Sequence, residues 1–295
     1  MTSVESAPAV LSGTALAKRI RAQVTATARE LTEAGVPPRL AVVVATDDES
    51  TAWYVRSIAT AATKTGIRCD VVHLGASAEP ARIGARLAEL SADPTVHGVI
   101  LQTPLPAGAS VEDLAAAIAP EKDVDGASPL SLGRLCAGLP AFVPATAAAV
   151  LALLDHYEIP LAGQQAVVVG RSTVVGKPAA QLLLARDATV TICHSRTREL
   201  AEHTRAADVL VVAAGRTNLI TAEHVSPQAI VIDVGTNPTE DGGLAGDVDQ
   251  AVRGRVAGLT PVPGGVGPVT TALLLRHTLE SAQMIARIAF SKPVT

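Results

Sequence analysis

Ala166-Val-Val-Val-Gly-Arg-Ser-Thr-Val-Val-Gly-Lys-Pro178 reads as a buried strand, a tight loop and the start of a helix. Gly170 frees the turn, and Gly176 lets backbone approach closely at the helix N-terminus, where exposed N–H groups and the helix dipole favour a pyrophosphate. Arg171, Ser172 and Val175 fill the loop between the two glycines. The spacing is not GxGxxG, so on this fingerprint alone an ordinary strand–helix turn of a flavodoxin-like sheet reads as well as a dinucleotide site. The end of the next strand tilts the balance. Sites that prefer NAD place Asp or Glu there for the ribose 2′-hydroxyl. This chain instead has His194-Ser195-Arg196-Thr197, with Arg171 on the neighbouring loop. Two guanidinium forks and two hydroxyls suit a 2′-phosphate, so the reading is NADP rather than NAD. The alternative for Arg196 is a solvated surface charge.

Working outward, strands are expected at Ala166–Val169, Ala188–Cys193, Val209–Ala213, Ile230–Val234 and, briefly, Val256–Leu259. Their exits carry Gly215, Gly235 and Thr236, and such exits at the carboxyl edge are where parallel sheets hold ligands. Asp233 reads better as a turn residue than as a catalytic one. An earlier series alternates in the same way. Ser12 caps a helix to about Ala34, and Leu40–Ala45 is a strand. A helix over Ser50–Thr65 precedes a strand at Cys69–Leu74, and Pro80–Leu90 is helical before a strand at Gly98–Gln102. A helix follows from about Val111 to Ile118, then one near Thr146 to His156, and the last runs over Thr270–Ile288. Strands alternating with helices of this length predict parallel βαβ units, hence an α/β fold of two domains. Residues 1–148 form an N-terminal βαβ substrate domain, completed by a C-terminal helix at about 270–290 that packs back on it. Residues 149–269 form a Rossmann-type parallel-sheet domain for NADP, with the boundary between Pro144 and Gly163.

Composition agrees. The 295 residues suit two domains, and 48% hydrophobic content with only 2% aromatic implies cores of Ala, Val, Leu and Ile. A net charge of −4 speaks against a nucleic-acid surface. No apolar run approaches the ~20 residues of a membrane span, and Met1 to Val10 lacks the pattern of a leader peptide. Cys69, Cys136 and Cys193 show no paired spacing, so neither disulfides nor a metal site is expected. The expected address is the cytoplasm.

Several motifs resemble one family. Gly-Arg-Ser-Thr-Val-Val-Gly-Lys-Pro (170–178), Thr-Ile-Cys-His-Ser-Arg-Thr (191–197) and Pro-Val-Pro-Gly-Gly-Val-Gly-Pro (261–268) lie in the second half. Tyr54-Val55, Gln102-Thr-Pro-Leu-Pro106 and Lys122-Asp-Val-Asp-Gly126 lie in the first. Together, and in this order from about Leu11 to Ala282, they resemble the bifunctional methylene-tetrahydrofolate dehydrogenase/methenyl-tetrahydrofolate cyclohydrolase family, FolD. The resemblance implies a folate cleft between the two domains, NADP as cofactor and a homodimer. It implies that Tyr54 stacks on the folate, Gln102 sits beside the reacting carbon and Asp125 holds the pterin by its carboxylate. The 261–268 loop, with Pro263, Gly264 and Gly265, would line substrate and nicotinamide, and Arg171, Ser195 and Arg196 would take the 2′-phosphate. Singly, each residue has a plainer reading: packing for Tyr54, a strand-end cap for Gln102, a turn for Asp125 and a connector for the glycine loop.

The sequence departs from the family at one position that matters. The family's cyclohydrolase chemistry depends on a lysine four residues after the tyrosine, on the same helix face; here that position is Ile58. Arg56 lies about 200° round the helix from Tyr54, and Lys64 is roughly 9 Å beyond Ile58 along the axis. Dehydrogenase activity is therefore expected to persist, with cyclohydrolase activity weak or lost. The alternatives are a folate-binding relic without turnover, or a fully bifunctional enzyme with another group standing in for the lysine. A small-acid dehydrogenase would need a Lys–Asp pair or Arg clamp that the first half lacks. A lesser departure is Pro144-Ala-Thr-Ala147, where the family commonly has Pro-Cys-Thr-Pro.

Overall fold

The structure, a computed structural model, describes residues 9–239 and 242–291. Most of the stretch read for a leader peptide, residues 1–8, lies outside the described residues. In chain order the first series is β1 (Ala9–Val10), α1 (Thr14–Glu33), β2 (Arg39–Val44), α2 (Glu49–Lys64), β3 (Arg68–His73), α3 (Pro80–Ala92), β4 (Gly98–Gln102), α4 (Val111–Ala115), α5 (Pro129–Cys136) and α6 (Ala145–His156). The second is β5 (Gln165–Val169), α7 (Gly176–Leu184), β6 (Thr189–Cys193), α8 (Leu200–Arg205), β7 (Val209–Val212), β8 (Ile230–Asp233), β9 (Asn237–Pro238), β10 (Leu244–Ala245), β11 (Gly258–Leu259) and α9 (Val266–Ser291).

The chain divides into two compact units, with crossings at 17/18, 145/146 and 270/271. One unit carries the three-stranded parallel sheet β3-β2-β4. Its central strand β2 is buried because Ala41 and Val43 face Ile83 and Leu87 of α3, joined by Val99 and Leu101 of β4. Asp48 caps α2, its carboxylate accepting from Thr51 N at 2.7 Å, which satisfies an orphan donor of the first turn. That cap aims the helix carrying Tyr54. The last helix belongs to this unit from Thr271 onward.

The other unit carries a six-stranded sheet in the order β1-β11-β8-β7-β5-β6, parallel at every pairing. From β5 the chain winds first to β6 on one side and then to β7 and β8 on the other. The β5/β7 boundary is therefore a topological switch point, with a crevice at the strands' carboxyl ends.

Three differences from the sequence reading have physical causes. Residues 9–17 were assigned to the N-terminal domain, yet β1 hydrogen-bonds to β11, Ala9 N donating to Ala257 O and Leu11 N to Leu259 O. A strand of two residues carries no periodicity to betray it. The antiparallel pair β9–β10 escaped for the same reason. Finally, α9 begins at Val266 rather than Thr270; Pro268 fits its first turn, where a missing N–H costs nothing.

Candidate active site

The loop after β5 is shaped by two glycines. Gly170 has φ +131°, and a Cβ there would overlap the carbonyl of Ala213. A Cβ at Gly176 would overlap the carbonyl of Gly170. The loop therefore folds tightly over the switch point, as a phosphate cradle requires. Ser172 Oγ accepts from Val175 N at 3.2 Å and Gly176 N at 3.4 Å, so the hydroxyl closes the start of α7. Arg171, Ser195 and Arg196 are exposed, and neither arginine forms an ion pair among the described residues. Arg196 N donates to His194 Nδ1 at 3.1 Å, which fixes the turn beyond β6. These groups suit a dinucleotide with an anionic 2′ substituent: a glycine cradle at a helix start and two free guanidinium groups.

The remaining strand exits are organised by two aspartates. Asp233 accepts from Gly235 N (2.9 Å), Asp247 N (3.0 Å) and Val248 N (3.0 Å). Burial pushes its carboxyl up to about 6 against those donors. It is a structural turn residue, the reading preferred from sequence. Asp247, which sequence reasoning passed over, accepts from Ala214, Gly215 and Arg216 N at 2.7, 2.9 and 2.8 Å and from Asn237 Nδ2 at 2.9 Å. It thereby clasps the loop carrying Gly215, and it packs directly against Gly235. The Pro263-Gly264-Gly265 turn is held by residues the sequence assigned elsewhere. Gly13 N donates to Gly264 O at 2.9 Å, and a Cβ on Gly13 would overlap Gly265 O.

In the other unit Tyr54 and Asp125 are brought together. Both are half-buried. Burial and then the charge of Asp125 raise the Tyr54 phenol well above its ordinary range, against a side-chain hydrogen bond from Thr271. Burial raises the Asp125 carboxyl to about 7, opposed by a long bond from Ala145 N (3.4 Å) and assisted by Asp123. Asp123 is committed to its own loop, accepting from Ala127 N, Ser128 N and Ser131 Oγ. Gln102 ends β4 with Nε2 donating to Thr103 O at 3.0 Å, the strand-end cap that was its plainer reading.

Ile58 is completely buried. Arg56 and Lys64 are exposed. Lys122 is committed elsewhere, its Nζ donating to Asp93 O at 2.6 Å. Thr271 and His277 of α9, missed from the sequence, touch this site or its loop; their signal was polar residues flanking the apolar run Ala272–Leu275 of that helix. Among the described residues no group of His, Cys, Asp or Glu could hold a metal ion, and no helix is long and apolar enough to cross a membrane.

A doubly wound parallel sheet with a glycine cradle at its switch point, accompanied by a second α/β unit carrying a Tyr–Asp pair, defines a nicotinamide-dependent dehydrogenase class. Comparison with known proteins narrows the class. Residues 11–125 match the catalytic domain of tetrahydrofolate dehydrogenase/cyclohydrolase, and residues 144–286 match its NAD(P)-binding domain. The chain belongs to this family, FolD. It is 73% identical over 282 residues to "Bifunctional protein FolD 1" of Saccharopolyspora erythraea, covering 95% of this chain and 96% of that one. The crystal structure of the bifunctional FolD enzyme of Campylobacter jejuni matches with TM-score 0.91 at 40% identity, covering 94% and 99% of the two chains. The Trypanosoma brucei FolD structure, complexed with NADP cofactor and inhibitor, matches with TM-score 0.90 at 35% identity, covering 95% and 99%. The family, the two-domain α/β class and an enzyme with a nicotinamide coenzyme, all expected from the sequence, are borne out.

Proposed function

We propose that the protein oxidises 5,10-methylene-tetrahydrofolate to the 5,10-methenyl form with NADP, and that its hydrolysis of the methenyl product is weak or absent. Support for the first part comes from the half-buried Tyr54–Asp125 pair; support for the second comes from the fully buried Ile58 on the same helix as Tyr54.

When bound, NADP accepts the hydride. The chain's residues bind and orient. Gly170, Ser172, Val175 and Gly176 receive the pyrophosphate, and Arg171, Ser195 and Arg196 take the 2′-phosphate. Gly215, Gly235 and Thr236 line the coenzyme's path, and Pro263, Gly264 and Gly265 border the nicotinamide and the substrate. Tyr54 offers a ring for the folate to stack on. Asp125 accepts hydrogen bonds from the amino edge of the pterin, and Gln102 stands beside the one-carbon bridge. A neighbouring nitrogen lone pair drives the hydride out. No proton moves in that step, so alignment suffices.

Hydrolysis differs, because water must lose a proton as it attacks and a ring nitrogen must later gain one. Loss of a general acid–base group typically costs about 10²–10⁴-fold. Tyr54, kept protonated by burial, supplies no base. Ile58 has no ionisable atom, and the lysines of its unit among the described residues, Lys18, Lys64 and Lys122, are exposed or bonded elsewhere. The folate-binding part comprises residues 1–148 with α9 and the NADP part residues 149–269, except that residues 9–17 go with the latter. We assign a cytoplasmic homodimer.

Full bifunctionality is the second reading, favoured by the name of the 73%-identical relative. Assaying both activities on purified protein separates them. The expected result is NADPH formation from methylene-tetrahydrofolate with methenyl decay at the spontaneous rate; catalysed decay establishes the second reading. Ile58→Lys should raise methenyl hydrolysis by about tenfold or more if desolvation lowers the new amine's pKa. Absence of NADPH formation leaves only a folate-binding relic.

A further inference from the structure

Tyr54 and Asp125 come from separate parts of the chain, α2 and the loop after α4. One element reaches both. From α9, Thr271 hydrogen-bonds the Tyr54 side chain. Six residues on, about 9 Å along the helix, His277 Nδ1 lies 2.9 Å from the carbonyl of Val124, the residue before Asp125. Ser281 Oγ donates to Glu121 O at 2.5 Å, holding the start of the same loop.

His277 is only 6% exposed, with the Phe142 ring centred 5.3 Å from its own. An imidazole buried in a helix costs free energy unless it is hydrogen-bonded, and a leucine would fill the space without that cost. Its partner is a carbonyl, which can only accept, so Nδ1 carries a proton, and burial disfavours the charged ring. That bond fixes the peptide plane between Val124 and Asp125. Asp125 needs such support, because among the described residues the hydrogen bond that its carboxylate accepts, from Ala145 N, is long at 3.4 Å. The carboxylate's aim is therefore set by its backbone more than by partners of its own.

We propose that His277 is a positioning residue for folate: through the Val124 carbonyl it aims Asp125, while Thr271 of the same helix steadies Tyr54, so that α9 fixes the spacing of the two groups. This rests on the folate reading above.

The test uses the whole enzyme. His277→Leu keeps bulk and removes the donor, and His277→Met does so with a more adaptable side chain. His277→Asn restores an N–H donor. The expected result for a folded donor-free variant is a KM for methylene-tetrahydrofolate raised about tenfold, the size of one lost hydrogen bond to a positioned group. The KM for NADP should stay within about twofold, and the asparagine variant should recover most of the loss. Tetrahydrofolate binding, read from the emission of Trp53 (the chain's sole tryptophan, 59% exposed), should weaken in parallel without any turnover. An unchanged folate KM in a folded donor-free variant overturns the proposal, as does an equal rise in both KM values or no rescue by asparagine. If wild-type enzyme binds tetrahydrofolate but reduces no NADP, the functional reading fails while the binding comparison still decides this one; if it binds no folate, both fall.

Discussion

Asp125 works against its own burial. Its carboxyl titrates at about 7, so near neutral pH it is only partly ionised in the free protein. In the proposed role of accepting from a pterin amino edge, the ionised carboxylate, which offers only acceptors, is the competent form. The kcat/KM for methylene-tetrahydrofolate should therefore be flat above about pH 8 and fall towards tenfold per unit below pH 6; a flat profile from 5.5 to 8.5 would contradict the assignment. Stability runs the other way. A carboxyl whose pKa rises on folding penalises the fold fully above the folded value, and the penalty fades as pH drops from 7 towards the unfolded value of 3.8. Asp125→Asn should thus gain up to about 4 kcal/mol at pH 8, a gain that shrinks by pH 5, while losing folate binding. Urea unfolding at both pH values checks it. Tyr54, Gln102, Asp125 and the Ile58 exchange were all legible as residues in family order. Thr271 and His277 were not, because a polar residue in a helix discloses its partner only once the loop it touches has been placed.

At the scale of elements, α9 carries the opposite pH response. Burial, then repulsion from Arg276, pushes His277 down to about 4 against its bond to Val124 O. A base whose pKa falls on folding lends stability above its unfolded value near 6.5, and that stability is lost as pH falls towards 4. Wild-type protein should lose up to about 3 kcal/mol more than His277→Asn between pH 7 and 4.5, measurable by the same unfolding curves. In the other unit the clasp by Asp247 replaces strand pairing for three consecutive N–H groups. Asp247→Ala leaves those part-buried donors without their acceptor, so it should cost about 1–3 kcal/mol and raise the NADP KM well before the folate KM. The long strands and helices were read to within a residue or two at most ends because their apolar runs set the period. Asp247 sits in an irregular stretch of turns and two-residue strands, where no period exists to read.

Across the whole molecule the parallel α/β plan followed from alternating strand and helix patterns, and the family from motifs spread along nearly the full chain. The path of the chain did not follow from either. Residues 9–17 belong with the second sheet, and Gly13 presses against the Gly264–Gly265 turn. Gly13→Ala should therefore disturb a loop some 250 residues away in sequence. Its expected signature is a kcat reduced about tenfold or more, as for a misplacement near the reacting centre, with folate binding by Trp53 emission little changed. Loss of folate binding with kcat intact would refute that route.

The pairing of Ala9 with Gly258 also has a temporal side. On the ribosome this strand emerges about 250 residues before its partner, and only once Gly258 and Leu259 have been made can that pairing form. Until then Val10 and its neighbours present unsatisfied amides, a template for stray association. Closing so large a loop is slow by its nature, so this strand waits unpaired until its distant partner arrives.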